Sequence, residues 1–439
     1  MRVLLVCHGY PPDGIAGVER LSAQTAEALA RRGHEVTVLT ARPGERPASP
    51  VLRRDTRAGI PVVAVAGGAS TPEAFPGHEP RLETIFERML VETAPDVVLA
   101  THLMHHSPGY VRVAHRLGIP FALELHDFFM LCPRAHLLRR NGDLCGGPEG
   151  GSACARHCFG DQHDPQLRWS LRSESFAAAV RDADAVLAPS RLVADAFSSR
   201  RGGAEISVVP NAVADFGPVL RTESDRGGPL HLASIGVTVE HKGFQTVVEA
   251  LRLARLPAVR YTIFGAALAP LCFDLLRAGD EIEGLELRLY DRFEPHHLPV
   301  LLADVDALAI PSLVPETYSI VAREGLACGI PLIAAAIGAL PEAVREGENG
   351  WLFEPGDAAG LALLLQRLDR DREMLARAAQ GADEEAVVSV SQRTDAVESI
   401  LRSAVAGGPR DDAPGRDELG LMREALVESD ASRGRGQAP

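Results

Sequence analysis

The chain opens with an almost unbroken apolar run, RVLLVC, Arg2–Cys7. Such a run fits a strand buried on both faces of a parallel sheet. The loop HGYPPDGIAG follows. An amphipathic pattern from Val18 to about Arg32 then predicts a helix, closed by Gly33. HEVTVLTA reads as the next strand, and DVVLATH (Asp96–His102) and PFALELHD (Pro120–Asp127) continue the series. Strand, glycine loop, helix and strand in succession open a doubly wound α/β sheet.

The pattern restarts at Pro229. LHLASIGV reads as a strand, Lys242-Gly243 ends a loop, FQTVVEALRLA is an amphipathic helix and RYTIFG a strand. The halves share a local signature: DADAVLAPS (Asp182–Ser190) resembles DVDALAIPS (Asp304–Ser312). Two Rossmann-like α/β domains facing each other across a ligand cleft are therefore expected. The first spans 1–214 and the second 229–385, with a polar linker at 215–228. A C-terminal helix at 386–404 and a disordered tail from 405 complete the chain. One segment, Leu131 to Gln166, breaks the pattern and reads as a loop insertion with four cysteines.

The segment PETYSIVAREGLACGIP, Pro315–Pro331, raises a chemical question. Pro315 and the Gly329/Pro331 pair confine its helix to about Ser319–Cys328. Glu324 then falls on a small apolar face with Val321, Gly325 and Cys328, while Glu316 stands in the loop before the helix. A carboxylate there is costly unless something pairs with it. Free N–H groups of the first helical turn favour an anion. A phosphate at the helix start, with hydroxyls held by Glu316 and Glu324 on either side, uses all three features. That description fits a nucleotide sugar. The alternative is a helix charge that reaches water past small neighbours.

Composition narrows the picture. The 439 residues are 46% hydrophobic and 24% charged, ordinary for a globular chain of about two domains. A net charge of −14 argues against broad nucleic-acid binding. No apolar run is long enough to span a bilayer, and the start lacks a signal-peptide pattern. A cytoplasmic location without structural disulfides is expected. Abundant Ala, Arg and Gly with a single Lys suggest a GC-rich bacterial source.

Several motifs occur in one order: PPDGIAGVER, ELHDFFMLCPR, VVPNAV, EHKGF and PETYSIVAREGLACGIPLIAAAIGALPE. Together they resemble the retaining glycosyltransferases of family 4, of GT-B architecture, over roughly Met1 to Arg402. The resemblance implies roles residue by residue. Glu316 and Glu324 match the two glutamates of the family's E-x7-E element, the first beside the donor sugar and the second on the ribose. Thr317, Tyr318, Ser319 and Ile320 match the turn whose N–H groups face the diphosphate. Lys242 matches the lysine that neutralises the leaving diphosphate. Gly17 matches a loop glycine that permits close approach to the donor. His126, at a strand end ahead of Asp127, matches the histidine that approaches the transferred sugar; a structural histidine is the other reading. The chain departs from the family at Val237, where an arginine is usual after the strand glycine.

The implied activity is transfer of a sugar from a nucleoside-diphosphate sugar to an acceptor hydroxyl, with retention and without a metal or cofactor. No carboxylate nucleophile is placed by the motifs, so front-face attack is expected. An idle nucleotide-sugar-binding partner subunit, favoured by Val237, is the alternative, as is an epimerase of the same fold. DADA and DVDA read as turn caps rather than metal ligands. Cys132, Cys145, Cys154 and Cys158 read as packed thiols, with structural zinc as the open alternative. No basic amphipathic helix argues for membrane docking, and weak peripheral association stays open. Donor base, sugar and acceptor are not legible.

Overall fold

The computed structural model describes residues 1–14, 16–42, 51–66, 79–162, 164–214, 216, 228–266, 270–382 and 387–407. The expected tail, apart from residues 405–407, and most of the 215–228 linker lie outside the described residues. The chain divides into two compact units. Unit 1 holds residues 1–210 and the chain from Ser391; unit 2 holds residues 211–390.

Unit 1 is built on an eight-stranded sheet: β1 Arg2–Cys7, β2 Glu35–Arg42, β3 Val51–Arg57, β4 Ile60–Ala66, β5 Val97–Ala100, β6 Phe121–Glu124, β7 Ala185–Ala188 and β8 Ser207–Val208. Their order is β3-β4-β2-β1-β5-β6-β7-β8. All pairs are parallel except β3–β4, an antiparallel edge hairpin. Unit 2 has β9 Leu230–Ile235, β10 Val259–Phe264, β11 Leu285–Tyr290, β12 Ala307–Ile310, β13 Leu332–Ala335 and β14 Gly350–Phe353. Their order is β11-β10-β9-β12-β13-β14, all parallel. Within unit 1, β4-β2-β1-β5-β6-β7 repeats that order. Both sheets are thus doubly wound, with the strand order reversing beside the first strand.

The apolar runs become the central strands because helices cover both faces; Leu4, Leu5, Val6 and Cys7 are fully buried. The helix expected from Val18 runs from Gly17 to Arg31. The repeated aspartates act alike. Asp184 accepts the N–H of Phe121, the first residue of β6, at 2.7 Å, and Asp306 accepts that of His231 in β9 at 2.9 Å. Asp96 does the same for Arg2 of β1 at 2.8 Å. Each carboxylate braces the start of a neighbouring strand, a longer-range use than the turn cap expected from sequence.

Two expectations are corrected. The segment 131–166 is not a plain loop. It carries a bridge between Leu138 and Leu144 and a helix, Ser152–His157. It packs on its own small core of Cys154, Ala155, Phe159 and Trp169, beneath the helix Pro165–Asp182. The C-terminal helix runs Val390–Ala406, so Val405 and Ala406 are helical where a disordered tail was expected to begin. It belongs to unit 1: Val397 and Leu401 join the core beneath β1 and β2.

That helix also delivers a charge. Arg393, 3% exposed, binds both oxygens of Glu124 at 2.9 and 2.8 Å and donates to Thr25 at 2.9 Å. Burial alone would raise the pKa of Glu124, but Arg393 and the bond from His126 hold it down at about 2. Its folded pKa is depressed, so its stabilising contribution is complete above the ordinary value of 4.5 and is lost as pH falls through about 2. Arg393→Leu leaves an unpaired buried carboxylate and is expected to cost about 3–5 kcal/mol at neutral pH. Urea denaturation as a function of pH should show the gap to wild type narrowing progressively as pH falls from about 4.5 toward about 2.

Candidate active site

In a doubly wound sheet the crevice lies past the carboxyl ends of the strands, where the order reverses. In unit 2 that point lies between β9 and β12. Beyond them is a cavity of about 120 Å³, lined among others by Ile235, Lys242, Ser312, Glu316, Ser319 and Val321. Five stretches separated in sequence therefore meet at one place.

Glu316 is the centre of it. Its Oε1 accepts from Lys242 Nζ at 2.8 Å and from Ser312 Oγ at 2.6 Å. Burial opposes ionisation, yet the Lys242 charge and these two bonds hold the carboxyl below its ordinary pKa. Glu316 is therefore an anion at neutral pH. Its backbone is fixed too: its carbonyl accepts Ala339 N–H at 2.7 Å.

The helix runs Ile320–Ala327, close to the range expected. Ser319, just before it, has φ of 57°, a left-handed conformation rare outside glycine. That bend sets the first helical turn toward the cavity, which Ile320 and Val321 help line. Tyr318 is buried and donates its hydroxyl to Asn211 O at 2.8 Å. Thr317 lies half-buried in the same turn. Glu324 is half-buried on the helix. With burial it helps push the Cys328 thiol up to about 12.

Sequence reading passed over Arg323. It is buried, donates to the carbonyl of Tyr318 and stacks 4.3 Å from that ring. Burial holds its pKa below the ordinary arginine value. It thus braces the turn from behind. Val237, where an arginine was expected, is half exposed.

In unit 1 the order reverses between β1 and β5, and histidines mark the spot. The rings of His8 and His102 stand 4.4 Å apart. His102 Nδ1 accepts Met104 N–H at 3.0 Å, so its proton sits on Nε2 and is donated to Asp127 at 3.2 Å. With His102 beside it, Asp127 is held at about 2 against the effect of burial. His8 faces Glu19 at 3.3 Å; burial, then His102, lower its pKa. His8 and Glu19 were not foreseen. Their one signal is position, since His8 is the first residue past β1.

His126 is buried and donates from Nε2 to Glu124 at 2.6 Å. The bond fixes the ring through a carboxylate. Gly17 opens its helix with free space where a Cβ would stand. Gly14 differs: a Cβ there would lie 2.9 Å from Glu19 Cγ, so the glycine makes room for Glu19.

Two family descriptions match consecutive stretches of the chain: Glycosyltransferase Family 4 over residues 15–215 and Glycosyl transferases group 1 over residues 221–385. Together they span most of it, and the chain belongs to the glycosyltransferases of family 4 and group 1. It is 28% identical over 393 residues to the glycogen synthase of Mycobacterium tuberculosis, covering 87% of this chain and 89% of that one. It is 29% identical over 395 residues to the D-inositol 3-phosphate glycosyltransferase of Actinosynnema mirum, covering 82% and 85%. Among solved structures, sucrose-phosphate synthase from Thermosynechococcus elongatus superposes with a TM-score of 0.69 at 18% identity, over 93% of this chain and all of that one. HepE of Anabaena, solved with UDP-glucose, gives 0.64 at 19%, over 92% and 100%. At such identities these structures speak for the fold, which is GT-B.

The seat of Glu316 depends on a glycine. Gly338 has φ of 63°, and a Cβ there would lie 2.3 Å from Glu316 N. Gly338→Ala must move that backbone. It is expected to cost more than about 1 kcal/mol of stability and to lower activity, checked by thermal unfolding alongside a transfer assay.

Proposed function

We propose that the protein is a retaining glycosyltransferase that moves a sugar from a nucleoside-diphosphate sugar to an acceptor hydroxyl. The observation that carries this reading is the Lys242–Glu316–Ser312 cluster at the switch point of unit 2, beside the turn Thr317–Ile320. An ammonium and the first-turn N–H groups suit a diphosphate. Glu316 suits sugar hydroxyls, and Glu324, one face of the helix further on, suits a ribose. The solved complexes of HepE contain UDP and UDP-glucose, which agrees with a donor of this class.

The chemistry needs a departing diphosphate to be stabilised at the moment the glycosidic bond breaks. Lys242 and the helix start are charges fixed beforehand, so little reorganisation is required. Glu316 orients the sugar. The acceptor hydroxyl attacks from the face the diphosphate leaves, and its proton passes to the departing phosphate oxygen. No protein nucleophile and no metal take part in this scheme. In unit 1 the candidate group is His126, whose ring Glu124 and Arg393 hold in place. The setting is the cytoplasm, in keeping with seven free cysteines. Val237 in place of an arginine favours the second reading, a partner subunit that binds the nucleotide sugar and transfers slowly or not at all.

The test is thermal unfolding against UDP, GDP, ADP, dTDP and CDP, with and without Mg²⁺. One nucleotide at about 100 times its Kd should stabilise the protein by roughly 2.7 kcal/mol, unaffected by Mg²⁺. Lys242→Met should weaken that nucleotide by about ten- to a hundredfold, the worth of a charged hydrogen bond of roughly 1.5–3 kcal/mol. Glu316→Gln should retain nucleotide binding and lose transfer. No response to any nucleotide overturns the donor site. Binding without turnover of any matching nucleotide sugar selects the partner-subunit reading.

A further inference from the structure

The four cysteines of the 131–166 segment were left between packed thiols and zinc by sequence. Their spacing, twelve, eight and three intervening residues, matches no standard zinc ribbon. In the structure they come together. Cys132 follows the turn after β6, Cys145 follows the Leu138–Leu144 bridge, Cys154 lies in the helix Ser152–His157 and Cys158 ends it. All four line one small cavity of about 10 Å³, walled otherwise by Arg134 and by apolar groups such as Leu131, Leu137 and Phe159. Cys132 and Cys154 are buried and the other two half-buried.

Two further observations point to negative charge in that cavity. The first is at Cys132, whose sulfur faces the backbone N–H groups of Arg134 and Leu137. N–H donors aimed at sulfur suit a metal-bound thiolate, although for the free thiol burial outweighs them and pushes its pKa up. The second is Arg172, 1% exposed, beside Cys154 and Cys132. Among the described residues it makes no ion pair. Its guanidinium donates to Phe129 O at 2.5 Å and lies over the rings of Phe129 and Phe176 at 4.8 and 4.6 Å. Arg200 also faces Cys154 and makes no ion pair among the described residues; it donates to the carbonyl and hydroxyl of Ser173. Asp127 and Glu174 lie within electrostatic reach of Arg172 and Arg200, respectively, without closing an ion pair to them, and a buried guanidinium without a direct counter-ion is a costly arrangement. Four neutral thiols leave that cost standing, and two disulfides leave it standing as well. A divalent ion held by four thiolates carries a charge of −2, opposite in sign to two arginines.

We propose that Cys132, Cys145, Cys154 and Cys158 form a structural Zn²⁺ site, with Arg172 and Arg200 balancing its charge. Four S–H bonds break and four Zn–S bonds of about 2.3 Å form, releasing four protons with no change of oxidation state. A cavity this small takes a single ion and not an iron–sulfur cluster. Among the described residues no three His, Cys, Asp or Glu grip an ion as they stand. The four side chains already face one cavity, so rotation about each Cα–Cβ bond is the movement that closes the set. The site would pin the chain just past Asp127, whose Oδ1 accepts Phe129 N–H at 2.7 Å, to the helix Pro165–Asp182. Its role is to hold the strand-end histidines and Asp127 in register, apart from the metal-free chemistry proposed above.

The full chain, purified on a non-chelating tag under reducing conditions, should contain about one zinc per chain by plasma mass spectrometry. A mercurial thiol reagent should release it. Cobalt exchanged into the protein should show the absorption of a tetrahedral thiolate complex. The double variant Cys154→Ser/Cys158→Ser should lose the zinc and gain protease cleavage between 131 and 166. Cys272→Ser, a buried cysteine of unit 2, should keep it. Less than a tenth of a zinc per chain, both as purified and after incubation with Zn²⁺, overturns the proposal even if the double variant fails to fold. So does a disulfide among these four in the reduced protein, or zinc retained by the double variant. Nucleotide binding in unit 2 is read separately, so either proposal can fail alone.

Discussion

A parallel sheet imposes the constraint on which the rest depends. Each strand must be followed by a crossover that returns the chain to the same end. When successive crossovers pass on opposite faces, two of them leave neighbouring strands in opposite directions. Between β9 and β12 this parts the loops and leaves a hollow that no side chain of the sheet fills. Lys242, Ser312 and Glu316 lie there because each follows the carboxyl end of one of these strands. The same reversal between β1 and β5 sets His8 beside His102. The chemistry is thus placed by topology first and by local sequence second.

Both units meet the cost of a buried carboxylate with a cation from far along the chain, but they do so differently. Glu124 is closed in on all sides by Arg393, His126 and neighbouring strands. Its pairing adds rigidity and ties the C-terminal helix to the centre of unit 1. Glu316 borders a cavity, and its partner Lys242 is a third exposed. A pair so placed can exchange partners. The contrast separates a structural ion pair from one that chemistry can use.

The central strands were legible because burial on both faces leaves apolar runs that no other element needs. The helix Ile320–Ala327 was legible because prolines and a glycine bracket it. What escaped the sequence depends on contacts between distant residues. In the β3–β4 hairpin, β3 carries Arg53, Arg54, Asp55 and Arg57 on an exposed edge, so it lacks the apolar signature of its neighbour β4. The return of Ser391–Ala406 to unit 1 rests on Arg393 meeting Glu124, 269 positions apart. Arg323 was hidden by a motif that drew attention to the glutamate beside it. The bend at Ser319 has no composition signal, since serine is an ordinary residue with an uncommon φ here.

If the Lys242–Glu316–Ser312 cluster is the donor site proposed above, its resting state has a consequence. Lys242 and Glu316 neutralise each other at 2.8 Å, and the cavity beside them is narrow. Burial makes the Glu316 carboxylate costly without a partner. A diphosphate of higher charge than one carboxylate can draw Lys242 away. Glu316 is then left with Ser312 and open acceptor directions, which sugar hydroxyls can satisfy. On that proposal the two halves of the donor would be coupled: diphosphate binding would free Glu316 for the sugar, and a sugar hydroxyl on Glu316 would lower the cost of releasing the lysine. A nucleoside diphosphate alone leaves Glu316 underused, and a free sugar alone must compete with Lys242. An intact nucleotide sugar would satisfy both at once, and on the proposed function the pair would therefore discriminate for the whole donor over either of its parts.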